Sequence, residues 1–269
     1  MGDVRSKYIP IVAMIWIMLP YTLIKQRLFF RLRKSPKDLP DFMCIGTQKS
    51  GTTWLYSQLE EQPEVFMAKP KEIHYFDWFF YRSLNWYATH FRGGEKRLRG
   101  EVTPGYSIIE KGRVRFMKRI MPDLKLILLL RDPRERAWSS ARFHFGKQMG
   151  RDLSKVTNEE FIHHFNQKWV KDRGDYETIW KKWTSVFDRS QFLVVFAEEI
   201  ESAPEMAIKK CSDFLGVKFV PGKNLQARPN ESQAMEMPVE IRKYLDEFYL
   251  PMISRMPQWL DMENKYWNV

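Results

Sequence analysis

Three short stretches of this sequence carry side chains that could do chemistry together. The first is Gly46-Thr-Gln-Lys-Ser-Gly51-Thr52-Thr53, a glycine-bounded loop between an apolar run at Phe42–Ile45 and a helical pattern from Thr52 to Glu60. A strand, a tight loop and a helix N-terminus in that order gather backbone N–H groups into an anion cradle. The loop begins like the GxxxxG phosphate loop of nucleotide kinases. Thr52, however, stands where those loops carry lysine, and the lysine lies inside the loop at Lys49. The usual handle for β- and γ-phosphates is missing, while a cation remains beside a single anionic group. The second stretch is the apolar run Leu124–Leu130 ending at Arg131, with Ser139 two helical turns further on. Arginine offers phosphate a bidentate fork that lysine lacks. The third is Pro70–Asp77, PKEIHYFD, which sets Glu72 and His74 two residues apart, two side chains able to accept a proton. Read as a strand-like stretch, it points both side chains to the same side. Each stretch also has a plain structural reading: a tight turn, an Arg-Asp pair capping a strand, and a salt bridge.

The elements that must position these groups alternate along the chain. Strand patterns occur at Phe42–Ile45, Val65–Met67, Leu98–Val102, Leu124–Leu130 and Phe192–Phe196. Helical patterns occur at Thr52–Glu60, Gly112–Ile120, from Pro133 onward, and at Asn158–Trp169, Tyr176–Phe187 and Pro204–Leu215. A final helix opens at Pro238 and runs to about Pro251, after an extended loop over Val220–Met237. The run LKLILLL is continuous and apolar, as a strand covered on both faces must be. These patterns predict an α/β, P-loop-like three-layer fold, with a central, mainly parallel sheet flanked by helices. In such folds ligands bind at the carboxyl ends of the strands.

Composition narrows the partners. A net charge of +11 attracts nucleic acid, anionic membrane or small polyanionic ligands. The basic residues are scattered and no nucleic-acid signature occurs, so nucleic acid is not the expected partner. Cys44 and Cys211 read as buried free thiols, and no Cys/His spacing suggests a metal. Tyr8–Ile24 is uncharged, interrupted by Pro10 and Pro20, and followed by Lys25, Arg27, Arg31, Arg33 and Lys34. It falls short of the roughly 20 apolar residues of a full span. Three readings stay open: a short anchor, a helix in the membrane interface, or a segment packed on the domain. The expectation is membrane association through residues 8–34, with basic residues keeping the catalytic part on the cytoplasmic side. Residues 1–34 are then an N-terminal segment, and 35–269 a single domain.

The longer string Gln48–Leu55, QKSGTTWL, resembles the 5′-phosphosulfate loop of sulfotransferases that use 3′-phosphoadenosine 5′-phosphosulfate (PAPS). The string LILLLRDPRERAWS, ending at Ser139, is similar to that family's 3′-phosphate signature. PKEIHYFD, with Asn85-Trp86-Tyr87 and Gly100–Tyr106, resembles the heparan-sulfate sulfotransferase branch and its bacterial relatives. Val102 departs from that branch, whose animal members often carry lysine there. Its late basic, glycine-containing loop has no match in 224–238. The resemblance implies PAPS as co-substrate, 3′-phosphoadenosine 5′-phosphate (PAP) as product, and no metal. Gln48, Lys49, Ser50, Gly51, Thr52, Thr53, Trp54, Arg131 and Ser139 would bind the nucleotide, with Trp54 at the adenine. Trp54 reads equally as a core residue. The implied reaction moves a sulfuryl group to a hydroxyl or amine, the acceptor being a carbohydrate or glycolipid. The alternative acceptor is a small alcohol or phenol. The rivals are a P-loop kinase and a membrane-associated nucleotide-binding protein without catalysis.

Lys49 is expected to stabilise the leaving phosphate, and its charge to keep a nearby Glu72 ionised. In the heparan-sulfate branch the glutamate of E-x-H-x-F-D is the base, so Glu72 takes that role here and His74 orients the acceptor. Trp78, Phe79, Phe80 and Tyr81 could line an acceptor site, but are expected in the core. His144, His163 and His164 read as packed or solvated.

Overall fold

Five short strands carry the site: β1 (Phe42–Gly46), β2 (Val65–Met67), β3 (Leu98–Val102), β4 (Lys125–Leu130) and β5 (Phe192–Phe196). In the computed structural model, which describes residues 37–222, 224–226 and 234–268, they pair in parallel in the order β2-β3-β1-β4-β5. Cys44 of β1 stands between Val102 of β3 and Ile127 of β4. The carboxyl ends of these three strands therefore open on one edge. Because side chains alternate along a strand, β1 and β4 feed two cores. Met43, Ile45, Leu126, Leu128 and Leu130 enter one, and Phe42, Cys44, Ile127 and Leu129 the other. That double burial is why the β4 sequence shows no polar alternation.

Helices close both faces, which makes the three layers expected from the sequence. In chain order they are α1 (Thr52–Glu60), α2 (Leu84–Ala88), α3 (Lys111–Ile120), α4 (Pro133–Arg142), α5 (Asn158–Asn166) and α6 (Lys168–Gly174). There follow α7 (Tyr176–Thr184), α8 (Ala197–Ser202), α9 (Pro204–Leu215), α10 (Val239–Ser254) and α11 (Met256–Leu260). Leu55 and Leu59 of α1 and Ile208 and Cys211 of α9 cover one face. Val114 and Met117 of α3, Trp138 of α4, Trp183 of α7 and Ile241 of α10 pack on the other. Cys44 and Cys211 are buried free thiols, and burial pushes both up to about 12.

The helix expected over Asn158–Trp169 is two helices. Gln167 adopts an extended ψ of 132°, which ends α5 and restarts the chain as α6. The helix expected to stop near Pro251 runs through it to Ser254, because Met252 and Ile253 beyond the proline are buried. The short helices α2, α8 and α11 carry too few turns for a periodic pattern to show. Residues 8–34 lie outside the described residues. Among those described, no helix is long and apolar enough to cross a membrane.

Candidate active site

The glycine loop is fixed by its two ends. Gly46 leaves β1 at φ 143°, and a Cβ there would lie 2.9 Å from the Pro104 carbonyl oxygen and 2.9 Å from Ser107 Cβ. Only glycine lets the loop pass so close to the chain leaving β3. Thr47 Oγ1 donates to the Leu129 carbonyl at 3.0 Å and lies 2.8 Å from Ser50 Oγ, tying the loop to β4. Lys49 itself takes a left-handed φ of 69°. Its ammonium sits 4.0 Å from the centroid of the Phe143 ring, within cation–π range. Arg131 emerges at the end of β4 and its Nη1 donates to the Lys49 carbonyl at 3.5 Å.

These groups share one cleft of about 380 Å³. Gln48, Lys49, Gly51, Thr52, Thr53 and Trp54 line it from the loop and α1, and Arg131 and Ser139 from β4 and α4. Ser50 is buried beneath the loop, with its hydroxyl on Thr47. Trp54 takes the core position of one of its two readings and also reaches the cleft. Its ring is packed in the core under α1, its Nε1 donates to the Leu225 carbonyl at 2.9 Å, and it still borders the cleft.

Among the lining residues without a place in the sequence argument are Arg142, Phe143 and Lys147. Arg142 lies one turn beyond Ser139, so helical periodicity could have found it. Phe143 and Lys147 depend on a π-helical turn, Phe143–Gln148, that has no sequence pattern of its own. Lys49 is pulled down to about 8, first by burial and then by repulsion from Lys147, Arg142 and Arg131. The lining holds four cations and three hydroxyl side chains against the carboxylates of Glu72 and Glu201, an excess of positive charge that suits an anionic ligand.

The Pro70–Asp77 stretch brings Glu72 to the same cleft, while His74 stands behind it. The pair does not come together as a strand would bring it. Glu72 and His74 have φ values of 63° and 56°, so two left-handed turns, not strand alternation, bring their side chains within reach. His74 Nε2 lies 3.4 Å from Glu72 Oε2, and Nδ1 2.8 Å from Asp77 Oδ2. Lys71 Nζ lies 2.5 Å from Glu72 Oε1. Burial opposes charge on both residues, but the hydrogen bonds outweigh it. Those from His74 and Lys71 hold Glu72 down to about 2, and those to Asp77 and Glu72 lift His74 to about 9. His74 is therefore a cation at neutral pH, donating from both ring nitrogens. The groups that keep Glu72 ionised are its neighbours Lys71 and His74, not Lys49 as the sequence suggested. Space for the His74–Asp77 pair depends on Gly105, where a Cβ would sit 2.6 Å from Asp77 Oδ2.

The aromatic string after Asp77 divides. Phe80 is core, as expected, but Trp78 and Tyr81 are exposed. Trp78 stacks on the His74 ring at 3.7 Å and 8°. His164 is buried, stacked on His144, and burial pushes it down to about 4. Both sit apart from the cleft lining.

A parallel sheet with a glycine loop after β1 and an arginine after β4, flanked by helices, defines a P-loop-like α/β fold. The family model of the sulfotransferase domain matches residues 39–255, and the chain belongs to that family. A heparan sulfate glucosamine 3-O-sulfotransferase 3A1 of Mus musculus is 30% identical over 70% of this chain and 49% of its own length. A membrane-associated sulfotransferase of Dictyostelium discoideum, kil1, is 38% identical over 46% of this chain and 27% of its own. The chain thus spans half or less of the length of these two curated relatives. Among solved structures, a sulfotransferase from Alicyclobacillus acidocaldarius is 27% identical with a TM-score of 0.66, covering 84% of this chain and 97% of that one. A mouse sulfotransferase in complex with PAP shares the fold, with a TM-score of 0.51, 16% identity and coverage of 84% and 91%.

Proposed function

We propose that this chain transfers a sulfuryl group from PAPS to a hydroxyl or amine, the acceptor being a carbohydrate or glycolipid. The observation that carries the reading is the convergence of Lys49, Arg131, Ser139 and Glu72 on one cleft. The loop N–H groups and Lys49 hold the 5′-phosphosulfate, and Arg131 and Ser139 hold the 3′-phosphate. The acceptor oxygen attacks sulfur in line while the bond from sulfur to the 5′-phosphate oxygen breaks. Charge grows on that phosphate, where Lys49 stabilises it. The acceptor proton passes to Glu72. His74, tied to Asp77, holds the second Glu72 oxygen so that Oε1 faces the acceptor once Lys71 yields it. No step needs a metal.

The heparan sulfate relatives favour a glycan acceptor over a small alcohol or phenol. For residues 8–34 we favour attachment to an anionic membrane surface on its cytoplasmic side. The support is the apolar run with its basic flank, together with the membrane-associated relative. A chain starting at Ser35 should then stay folded and active, and lose vesicle binding.

The test of the main reading is thermal stabilisation by PAP against that by ATP with magnesium. PAP should raise the unfolding midpoint and ATP should not. The converse would overturn PAPS as the donor. Labelled PAPS offered with glycans, glycolipids, phenols and aliphatic alcohols then reads the acceptor directly.

A further inference from the structure

Resting on the sulfotransferase reading, we infer that Tyr106 and Arg113 are positioning residues: they clamp the backbone after His74 and so hold Glu72 at the cleft. A residue other than glycine keeps a left-handed backbone only where its surroundings over-determine it. Glu72 and His74 both do so, at φ 63° and 56°. On the entry side, Glu72 N–H donates to the Val102 carbonyl of β3 at 3.1 Å. On the exit side, two side chains from separate elements hold the loop. The Tyr106 hydroxyl, from the turn Pro104–Ile108, accepts from Tyr75 N–H at 2.9 Å and from Phe76 N–H at 3.4 Å. Arg113 of α3 donates from Nη1 to the Phe76 carbonyl at 2.9 Å and to the Asp77 carbonyl at 2.8 Å. The clamped stretch thus begins directly after His74 and ends on Asp77. His74 meets Asp77 through Nδ1 and Glu72 through Nε2, so fixing Asp77 fixes His74, and His74 fixes the Glu72 carboxylate. The Tyr106 ring is buried against Phe76, where a phenylalanine would fill the same space. A hydroxyl there is costly unless it is bonded, and the loop N–H groups bond it. The same turn also faces the donor loop: Pro104 lines the cleft and, with Ser107, crowds Gly46. The clamp therefore sets the base against the loop that holds the donor.

The test uses the full chain with nitrogen-15 histidine, and His74→Gln assigns the His74 ring signals. In the wild type His74 should titrate at about 9. Tyr106→Phe removes only the hydroxyl, and Arg113→Met the guanidinium. Each should lower the His74 midpoint by about one pH unit or more toward 6.5, as its two carboxylate partners move away. Tyr87→Phe removes another hydroxyl of the same aromatic cluster, one that serves Glu101 and not the loop, and should leave the midpoint in place. With labelled PAPS and heparan sulfate as acceptor, the two clamp variants should lower kcat by about ten-fold, with KM and PAP affinity nearly unchanged, as a misplaced base predicts. Should Tyr106→Phe not melt cooperatively, Arg113→Met decides. If neither does, both residues hold the fold and not the base, and the inference is wrong. It is equally wrong if the folded variants keep His74 at about 9 and lose only thermal stability, or if His74 shifts while kcat does not. A shift in Tyr87→Phe as large as in Tyr106→Phe would also sink it. The His74 titration needs neither nucleotide nor acceptor, so it judges the clamp by itself. Failure of the wild type to bind PAP would instead count against the sulfotransferase reading, which is a separate result.

Discussion

The two halves of the cleft are built on opposite electrostatic plans. The donor half gathers Lys49, Arg131, Arg142 and Lys147, and their mutual repulsion adds to burial in lowering Lys49. The proposed acceptor half, which meets the cleft at Glu72, alternates signs along Lys71, Glu72, His74 and Asp77, and each charge there stabilises the next. An anionic ligand would therefore raise Lys49, whereas the charges of the acceptor half already have opposite neighbours. Their backbones differ in the same sense. The donor residues hang from the glycine loop after β1, where Lys49 is left-handed, from the end of β4, the last turn of α4 and the π-helical turn after it, while the acceptor residues sit on a loop with two left-handed, non-glycine residues. Binding energy on one side and prior organisation on the other is a sensible division for a reaction in which charge moves toward the donor phosphate.

Removing the donor-side cation should have the largest effect. Lys49→Met is expected to lower turnover by about 10²–10³, the scale of losing one electrostatic contact to a transition state. Rates with labelled PAPS at saturation measure it. The repulsion around Lys49 also makes a pH prediction. Lys49 titrates at about 8 in the protein without ligand, and an anion must raise that value. PAP binding should therefore take up protons near and above pH 8 and weaken as pH rises further. Calorimetry in buffers of different ionisation enthalpy reads the proton uptake directly, and no uptake would mean that Lys49 does not face the nucleotide.

On the acceptor side, Glu72→Gln should lower turnover by about 10², the usual scale for losing a general base, with PAP affinity almost unchanged. Since His74 holds Glu72 near 2, the wild-type rate should show no acid limb between pH 5 and 7. A limb there would move the role to a histidine. His74→Ala should be milder than Glu72→Gln.

Arg131→Ala tests the discrimination of the donor site. It should cost about 10–100-fold in PAP affinity, as expected for a hydrogen bond to a charged group. A nucleotide lacking the 3′-phosphate should lose little further in this variant, and equal losses for both would break the assignment. Ser139→Ala should show the same pattern with only a few-fold loss.

The smallest effect on rate, and the sharpest on the acceptor network, is expected from Gly105→Ala. Its Cβ would intrude on Asp77 Oδ2 and part it from His74, at a cost of about 1–3 kcal/mol of stability, typical of overpacking. The His74 ring signals in NMR should then titrate well below about 9. The raised value of His74 contributes stability that is fully present below its ordinary 6.5 and is lost as pH rises through about 9. Between those limits the unfolding midpoint of the wild type should therefore fall more steeply with pH than that of the variant.

The sequence by itself determined β1, β2, β4 and β5, because a strand buried on both faces must be a short apolar run bounded by turn residues, and marked β3, Leu-Arg-Gly-Glu-Val, by the Thr103-Pro104-Gly105 turn that closes it. It also determined the donor loop and Arg131 with Ser139. Their geometry follows from local rules: a glycine at a strand exit, a helix N-terminus, and a helical spacing that returns a residue to the same face. Only the tertiary structure decided what surrounds them. Arg142, Phe143 and Lys147 reach the cleft through a π-helical turn, and the cost of their crowding on Lys49 exists only once the chain is folded. The tertiary structure also decided the acceptor half. Glu72 and His74 meet through left-handed backbone, Lys71 and Asp77 fix their charges, and Gly105, which the sequence marks only as a turn glycine, leaves room for the pair. Trp78 and Phe80 belong to one aromatic string, yet one faces solvent and the other the core. That choice depends on which ring packs on His74 and which meets Tyr75 and Phe116, and sequence spacing cannot express it.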